Sequence, residues 1–317
     1  MSEISGALHD QPITASLKPA ELKTTKKYKR SFLSQFWKVV IYLVITLLTL
    51  SCVIPFLHVI AKSVSSDAYV IANKVFLWPM GFTLEPYIKV FEDASILRSM
   101  YVSVIVTVTF TILGMFLTCC LAYALSRPQF KGRRVMTLLC VFTLYFSGGI
   151  IPDYMLMSSL GFLDTLWSLI LPLSFSAYNF IIMKNAMMAS VPISLEESAR
   201  IDGAGHFRIL AQIFLPLSKP IIATLSLFYA VGRWNTYQDA LFYIKQRVDL
   251  RPLQLKLYYL VVQASESLQL EATSVVITNP EVVKAACVVF ATLPIVCVYP
   301  FLQKYFVSGV MIGAVKE

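Results

Sequence analysis

Long runs without a charged residue alternate with short charged stretches along this 317-residue chain, and the length of those runs sets the first constraint. A helix crosses the hydrocarbon core of a bilayer in about 20 residues. Six stretches meet or approach that length: about 38–61, within Ser99–Ser126, from near Val135, about 165–183, about 217–234 and about 282–303. The pattern predicts an all-α integral membrane protein with six transmembrane helices, because helices satisfy their own backbone groups in lipid. The fifth run is the weakest: only Pro220–Gly232 is free of charge, and Lys219 and Arg233 flank it, where long basic side chains can reach the headgroups.

Composition agrees with this reading. Apolar residues make up 57% of the chain and charged residues 14%, against roughly 45–50% and about 25% in soluble domains. The net charge of +9 does not point to nucleic acid, since the cations gather beside the apolar runs, as on a cytoplasmic membrane face. The tail before the first run carries Lys23, Lys26, Lys27, Lys29 and Arg30, and the connection "RPQFKGRR" carries Arg127, Lys131, Arg133 and Arg134. Both are expected in the cytoplasm, because short basic loops resist translocation. The connection "DYMLMSSLGFLD", with two acids and no base, is expected outside, and six crossings place both termini in the cytoplasm. Residues 194–216 then face the cytoplasm, and a long loop at 235–281 lies outside. The first 30 residues read as a disordered basic tail, and 31–317 as one transmembrane domain. The first run is too long for a signal peptide and lacks a small-residue cleavage site, so it is expected to stay in the mature protein.

Candidate chemistry is sparse. Cys52, Cys119, Cys120, Cys140, Cys287 and Cys297 all fall inside apolar runs with no CxxC pair, and His9, His58 and His206 are far apart in sequence. These read as packing residues and not as metal ligands. No phosphate-binding GxxxxGK[ST] loop, HExxH or paired intramembrane carboxylate occurs, which argues against an ATPase or a membrane-embedded enzyme. A secondary transporter or channel usually places ionisable groups at membrane depth, and the runs have essentially none away from their ends.

One segment departs from the apolar pattern. In "SLEESARIDGAGHFRILAQIFLPLSKP", from Ser194, the charges Glu196, Glu197, Arg200, Asp202 and Arg208 fall within fifteen residues. Sinking them into lipid would cost roughly 2.5–3.5 kcal/mol each, so the segment is expected at the membrane face. Ser194 and Glu197 have the spacing of a capping box that starts a short helix. Gly203 and Gly205 are expected to end it. A second helix is expected over about 206–214, stopping before Pro216.

The spacing within that segment is more particular than an amphipathic connection requires. Glu197, Ser198 and Ala199, three residues to Gly203, nine more to Ile213, then Leu215 and Pro216 resemble the EAA signature of ABC importer permeases, with serine in place of the first alanine. "AYALSR" from Ala122, "FSGGIIP" from Phe146, "FYAVGRWN" from Phe228 and "YPFLQKYFVSGVMIGAVK" from Tyr299 extend the likeness over nearly everything from the first run onward. They resemble carbohydrate-importer permeases related to the smaller permease of the maltose transporter, and look closest to a branch of lipoprotein- or polysaccharide-type sugar permeases.

That resemblance implies a type I ABC importer permease fold in the bacterial plasma membrane. It also implies a heterodimer with a second permease, two copies of a cytoplasmic ATPase holding ATP and Mg, an extracellular solute-binding protein, and a carbohydrate substrate, an oligosaccharide before a monosaccharide. No cofactor is expected on this chain. A permease for a non-sugar solute remains an alternative, and a secondary transporter or channel a more distant one. Coupling to the ATPase is carried over to Glu196, Glu197, Ser198, Ala199, Asp202, Gly203, Ala204, Ile213 and Pro216, with Glu197 the partner of a basic residue on the ATPase and Gly203 the turn. Candidates for the sugar path are Tyr145, Phe146, Tyr178, Asn179, Trp234 and Asn235; each also reads as a packing or helix-bonding residue. The basic residues Lys245, Arg247, Arg251 and Lys256 of the external loop are placed to meet the binding protein or an acidic sugar, or simply solvent.

Overall fold

The computed structural model describes residues 32–270 and 280–314; the basic tail expected over the first 30 residues and part of the long loop lie outside them. The described residues are helical throughout, with helices α1 (Phe32–Ser63), α2 (Ala94–Ser126), α3 (Arg133–Tyr145), α4 (Ile150–Ser159), α5 (Ala177–Ser190), α6 (Ile193–Ile201), α7 (His206–Leu217), α8 (Lys219–Asn235), α9 (Leu253–Leu270) and α10 (Pro280–Ala314) joined by shorter turns. Two compact units divide the chain at Cys52: Met1–Cys52, and the larger Val53–Glu317.

Three helices among the described residues are long and apolar enough to cross a membrane: Gln35–Ser63, Ala94–Ser126 and Glu281–Pro300. Two bent pairs bring the number to five, α3 with α4 at 114° and α7 with α8 at 85°. The run expected at 165–183 is no continuous helix. It opens with a single turn at Trp167–Ile170 and becomes helical again only at α5. Pro172 explains the break, since it has no N–H to give and clashes with the preceding turn. Ser176 restarts the helix by accepting the N–H of Asn179 at 3.3 Å. The acidic connection expected as a loop begins inside α4. Gly149 makes the elbow before it with φ of +86°, a left-handed value that favours glycine.

In the larger unit α2 is the central element, packing on α5, α8 and α9, while α8 and α9 also meet α10. Gly114 lets α2 approach its neighbours: a Cβ there would stand 2.7 Å from the Ser174 carbonyl oxygen and 2.9 Å from the Tyr229 ring. Close crossings at small residues are how membrane helices gain dispersion contact without a hydrophobic driving force. Tyr229 then fastens three elements, its hydroxyl lying 2.8 Å from Thr118 Oγ1 and accepting the Ser176 N–H at 3.0 Å. Around it the core collects Ala122, Leu125, Phe180, Met183, Met187, Phe214 and Leu225, all essentially closed to solvent.

Candidate functional site

The EAA-like segment folds as two short helices around a glycine turn. Val191 is extended, as a residue before proline prefers, and α6 begins directly after Pro192. The expected capping box is therefore absent: Ser194 lies inside the first turn, and its carbonyl accepts the Ser198 hydroxyl at 2.9 Å. The helix ends as a Schellman motif. Ala204 N–H reaches the Ala199 carbonyl at 2.9 Å, Gly203 N–H reaches that of Arg200 at 3.0 Å, and Gly203 has φ of +76°. Gly205, expected to share the stop, has ordinary extended geometry and instead precedes α7. The second helix does not stop before Pro216. It passes through a π-helical turn at Leu210–Phe214 and continues to Leu217, so the bend falls at Ser218.

This geometry separates two adjacent glutamates. Glu197 is exposed, together with Ser198, Asp202 and Gly203, while Ala199 and Ala204 are half-buried against the core. Glu196 is 2% exposed and turned inward. One of its carboxylate oxygens accepts from Arg127, just past the end of α2, and the other accepts from Arg200 Nη2 at 2.7 Å. Arg127 is buried as well, with its guanidinium 4.3 Å from the Phe214 ring centroid and its Nε donating to Ser126 Oγ at 3.0 Å. Phe214 is fully buried and meets Tyr123 edge-on at 5.0 Å, and the Tyr123 hydroxyl lies 3.3 Å from His206 Nδ1. Ile213 is half-buried and Pro216 exposed. The result is an exposed helix-and-turn whose underside is tied by buried charge and aromatic contacts to the end of the central helix.

The six sugar-path candidates do not converge. Tyr145 and Phe146 are exposed at the elbow of α3, where Phe146 stacks on Phe142 at 4.2 Å. Tyr178 is exposed at the start of α5, and its neighbour Asn179 is buried. Trp234 is buried and donates Nε1–H to the Ala291 carbonyl at 3.2 Å, while Asn235 donates to the Val231 carbonyl at 3.0 Å. Among the described residues no hydrogen bond or ring contact joins the three pairs. Trp234 also lines an apolar cavity of about 370 Å³ between α2, α8 and α10, with Thr107 and Thr111 on its wall.

Residues the sequence did not single out also matter here. In the sequence Arg127 is only one cation of a basic loop and Gly114 is unmarked, yet they fix the EAA-like segment and the helix crossing respectively. At the opposite end of α2, Arg98 joins Arg251 and Lys256 around a second cavity of about 690 Å³. The described residues contain no group of three or more His, Cys, Asp or Glu arranged to hold a metal.

A family model described as the binding-protein-dependent transport system inner membrane component matches residues 24–312. The polygalacturonan/rhamnogalacturonan transport system permease protein YtcP of Bacillus subtilis (strain 168) is 42% identical over 286 residues, 89% of this chain and 99% of that protein. Protein LplC of the same organism is 44% identical over 265 residues, 83% and 89% of the two chains. Among solved structures, a chain of a bacterial ABC transporter involved in the import of the acidic polysaccharide alginate superposes with a TM-score of 0.78 at 31% identity, covering 87% of this chain and 98% of that one. With the family model covering nearly the whole chain, and with relatives this similar along most of their length, the protein belongs to the inner-membrane permease components of binding-protein-dependent transport systems.

Proposed function

We propose that this permease forms half of the translocation path of an ATP-driven importer for an oligosaccharide. It pairs with a second, similar permease, takes its energy from two copies of a cytoplasmic ATPase that holds the ATP and Mg, and receives substrate from an extracellular binding protein. The carbohydrate reading is supported by relatives whose names specify polygalacturonan, rhamnogalacturonan and alginate. The chain crosses the membrane six times with both termini in the cytoplasm, the fourth crossing made by Trp167–Ile170 and α5 together. Residues 194–216 then lie on the cytoplasmic side, and 235–281 outside.

The observation that carries the coupling assignment is the braced, outward-facing turn. Glu197, Ser198, Asp202 and Gly203 are presented to solvent, while Glu196 locks the underside to Arg127 at the end of α2. A push on the exposed face is therefore delivered to α2, the central helix of the larger unit. Glu197 meets a basic residue of the ATPase, and Glu196 acts as the brace. The test is Gly203→Pro, which removes no charge but cannot adopt φ of +76°. It should abolish co-purification of the ATPase or uncouple its hydrolysis from uptake. Full uptake with normal ATPase recovery would sink the assignment.

A further inference from the structure

The second cavity gathers more cationic than acidic side chains. Its wall comes from the start of α2, with Ser95 and Arg98, and from residues 248–260, with Asp249, Arg251, Lys256 and Tyr259. Three cations face one carboxylate there, and that carboxylate is engaged by Arg247 outside the cavity at 2.8 Å. Asp93 is the other acid in range of Lys256, and it is committed to capping α2 through the N–H groups of Ser95 at 2.8 Å and Ile96 at 3.4 Å. None of the three cations forms a salt bridge among the described residues. Arg98 donates Nε–H to the Asp249 carbonyl at 3.3 Å, Lys256 donates to Ser95 Oγ, and Arg251 Nη2 reaches the Lys245 carbonyl at 3.2 Å. Arg251 Nε, buried beside Tyr259, has no acceptor among the described residues. Like charges brought together in excess of their counter-charge raise the local potential and attract an anion.

The walls are also held in place. The Leu253 N–H donates to buried Ser103 Oγ at 2.7 Å, which pins the start of α9 to α2. Asp164 Oδ1 accepts three successive backbone N–H groups, from Lys245 and Gln246 at 2.8 Å and Arg247 at 3.1 Å, fixing the strand of chain that leads into the cavity. A concave site of this volume falls in the range of small-molecule pockets, whereas protein docking faces are flatter and larger. Guanidinium and ammonium groups beside hydroxyls and a tyrosine ring match a sugar acid, whose carboxylate takes the charge-assisted bonds and whose ring covers the aromatic.

We infer that this cavity is a carboxylate-binding subsite for the uronate residues of an acidic oligosaccharide, held by Arg98, Arg251 and Lys256 at the external mouth of the permease. This rests on the importer reading and adds the class of sugar and the place where it is first met.

The probe is fluorescein-labelled tri-galacturonate, with its fully methyl-esterified form as the neutral control. Equilibrium binding is measured on the whole transporter complex in nanodiscs without the binding protein. The acid should bind at least about tenfold tighter than the ester, and Arg98→Gln/Lys256→Gln should weaken the acid about tenfold. Arg251→Gln should do the same, and Lys74→Gln, an exposed change outside the cavity, should not. Equal binding of acid and ester, no binding of either, or a double variant that binds the acid like wild type overturns the assignment. So does a double variant that loses affinity for the sugar-free binding protein while keeping it for the acid, because the cations would then serve protein docking. Oligosaccharide uptake in proteoliposomes with the binding protein separates the two levels: uptake without binding at the mouth leaves the importer reading standing and removes only the subsite.

Discussion

Replacing Glu196 by glutamine and, separately, Arg127 by methionine should have unequal effects, and the inequality follows from how the carboxylate is shared. Glu196 is the only acid paired with Arg127 among the described residues, but Arg127 is one of two cations on Glu196. Glu196→Gln therefore leaves a guanidinium buried without a counter-charge, at a cost of about 3–5 kcal/mol. Arg127→Met keeps the apolar stem over Phe214 and leaves Glu196 paired with the half-exposed Arg200, at a cost of roughly 1–3 kcal/mol. The double variant removes both members of the buried pair and should cost at least about 1 kcal/mol less than the sum. The readout is the apparent melting temperature of the purified complex in detergent, followed by loss of its monodisperse chromatographic peak after heating. Glu196→Gln should lower it by roughly 6–10 °C and Arg127→Met by clearly less. Equal shifts, or an additive double variant, would refute the asymmetric brace.

Gly203→Ala meets no atom within 4 Å of its new Cβ, so its cost is the left-handed backbone alone, about 1–2 kcal/mol, read as a partial loss of uptake at normal expression. Gly114→Ala has the opposite cause: its Cβ meets a backbone carbonyl, and the crossing must open at a cost of about 1–3 kcal/mol, read as reduced detergent stability. Asp164→Ala removes three backbone bonds from the loop at 245–247, and limited proteolysis there should accelerate. Slight burial would raise the Asp164 carboxyl, but the N–H groups of Arg247, Gln246 and Lys245 outweigh it and hold it below its ordinary 3.8. The stability it contributes is thus complete above about pH 4 and lost as pH falls through the lower folded value. Acid titration of wild type against Asp164→Ala should show their stability difference shrinking only below that point.

The parts of the structure legible in the sequence were those written locally. Uncharged length gave α1, α2 and α10, and the spacing from Glu197 to Pro216 pointed to the family because one continuous stretch carries it. The break before α5 is hidden from a reading of summed apolarity over 165–183, which averages over Pro172, a single residue without an N–H. The choice between Glu196 and Glu197 was not available locally. A nine-residue helix offers both faces, and which glutamate turns inward depends on an arginine 69 residues away. The basic cavity is more distant still, since Arg98 and its partners at 249–256 meet only when α9 folds back on α2. The same distance explains why the aromatic candidates for the sugar path lie apart, since residue type alone does not bring side chains together.

The π-helical turn at Leu210–Phe214 has a consequence for how the chain tolerates length changes. Ile209 and Phe214 are both buried although five residues apart, a spacing that the extra residue of a π turn allows and a regular helix would not. Deleting one residue between them would turn this spacing into the i, i+4 of a regular helix, which still completes about one turn and keeps both side chains on one face. Inserting one would instead rotate everything downstream by about 100° about the axis. After such an insertion Phe214 would leave its place beneath Arg127, and Pro216 and the bend at Ser218 would swing with it. Point substitutions on the exposed positions Ala211 and Gln212, and a one-residue deletion there, should be absorbed, whereas a one-residue insertion should be as damaging as loss of the whole segment.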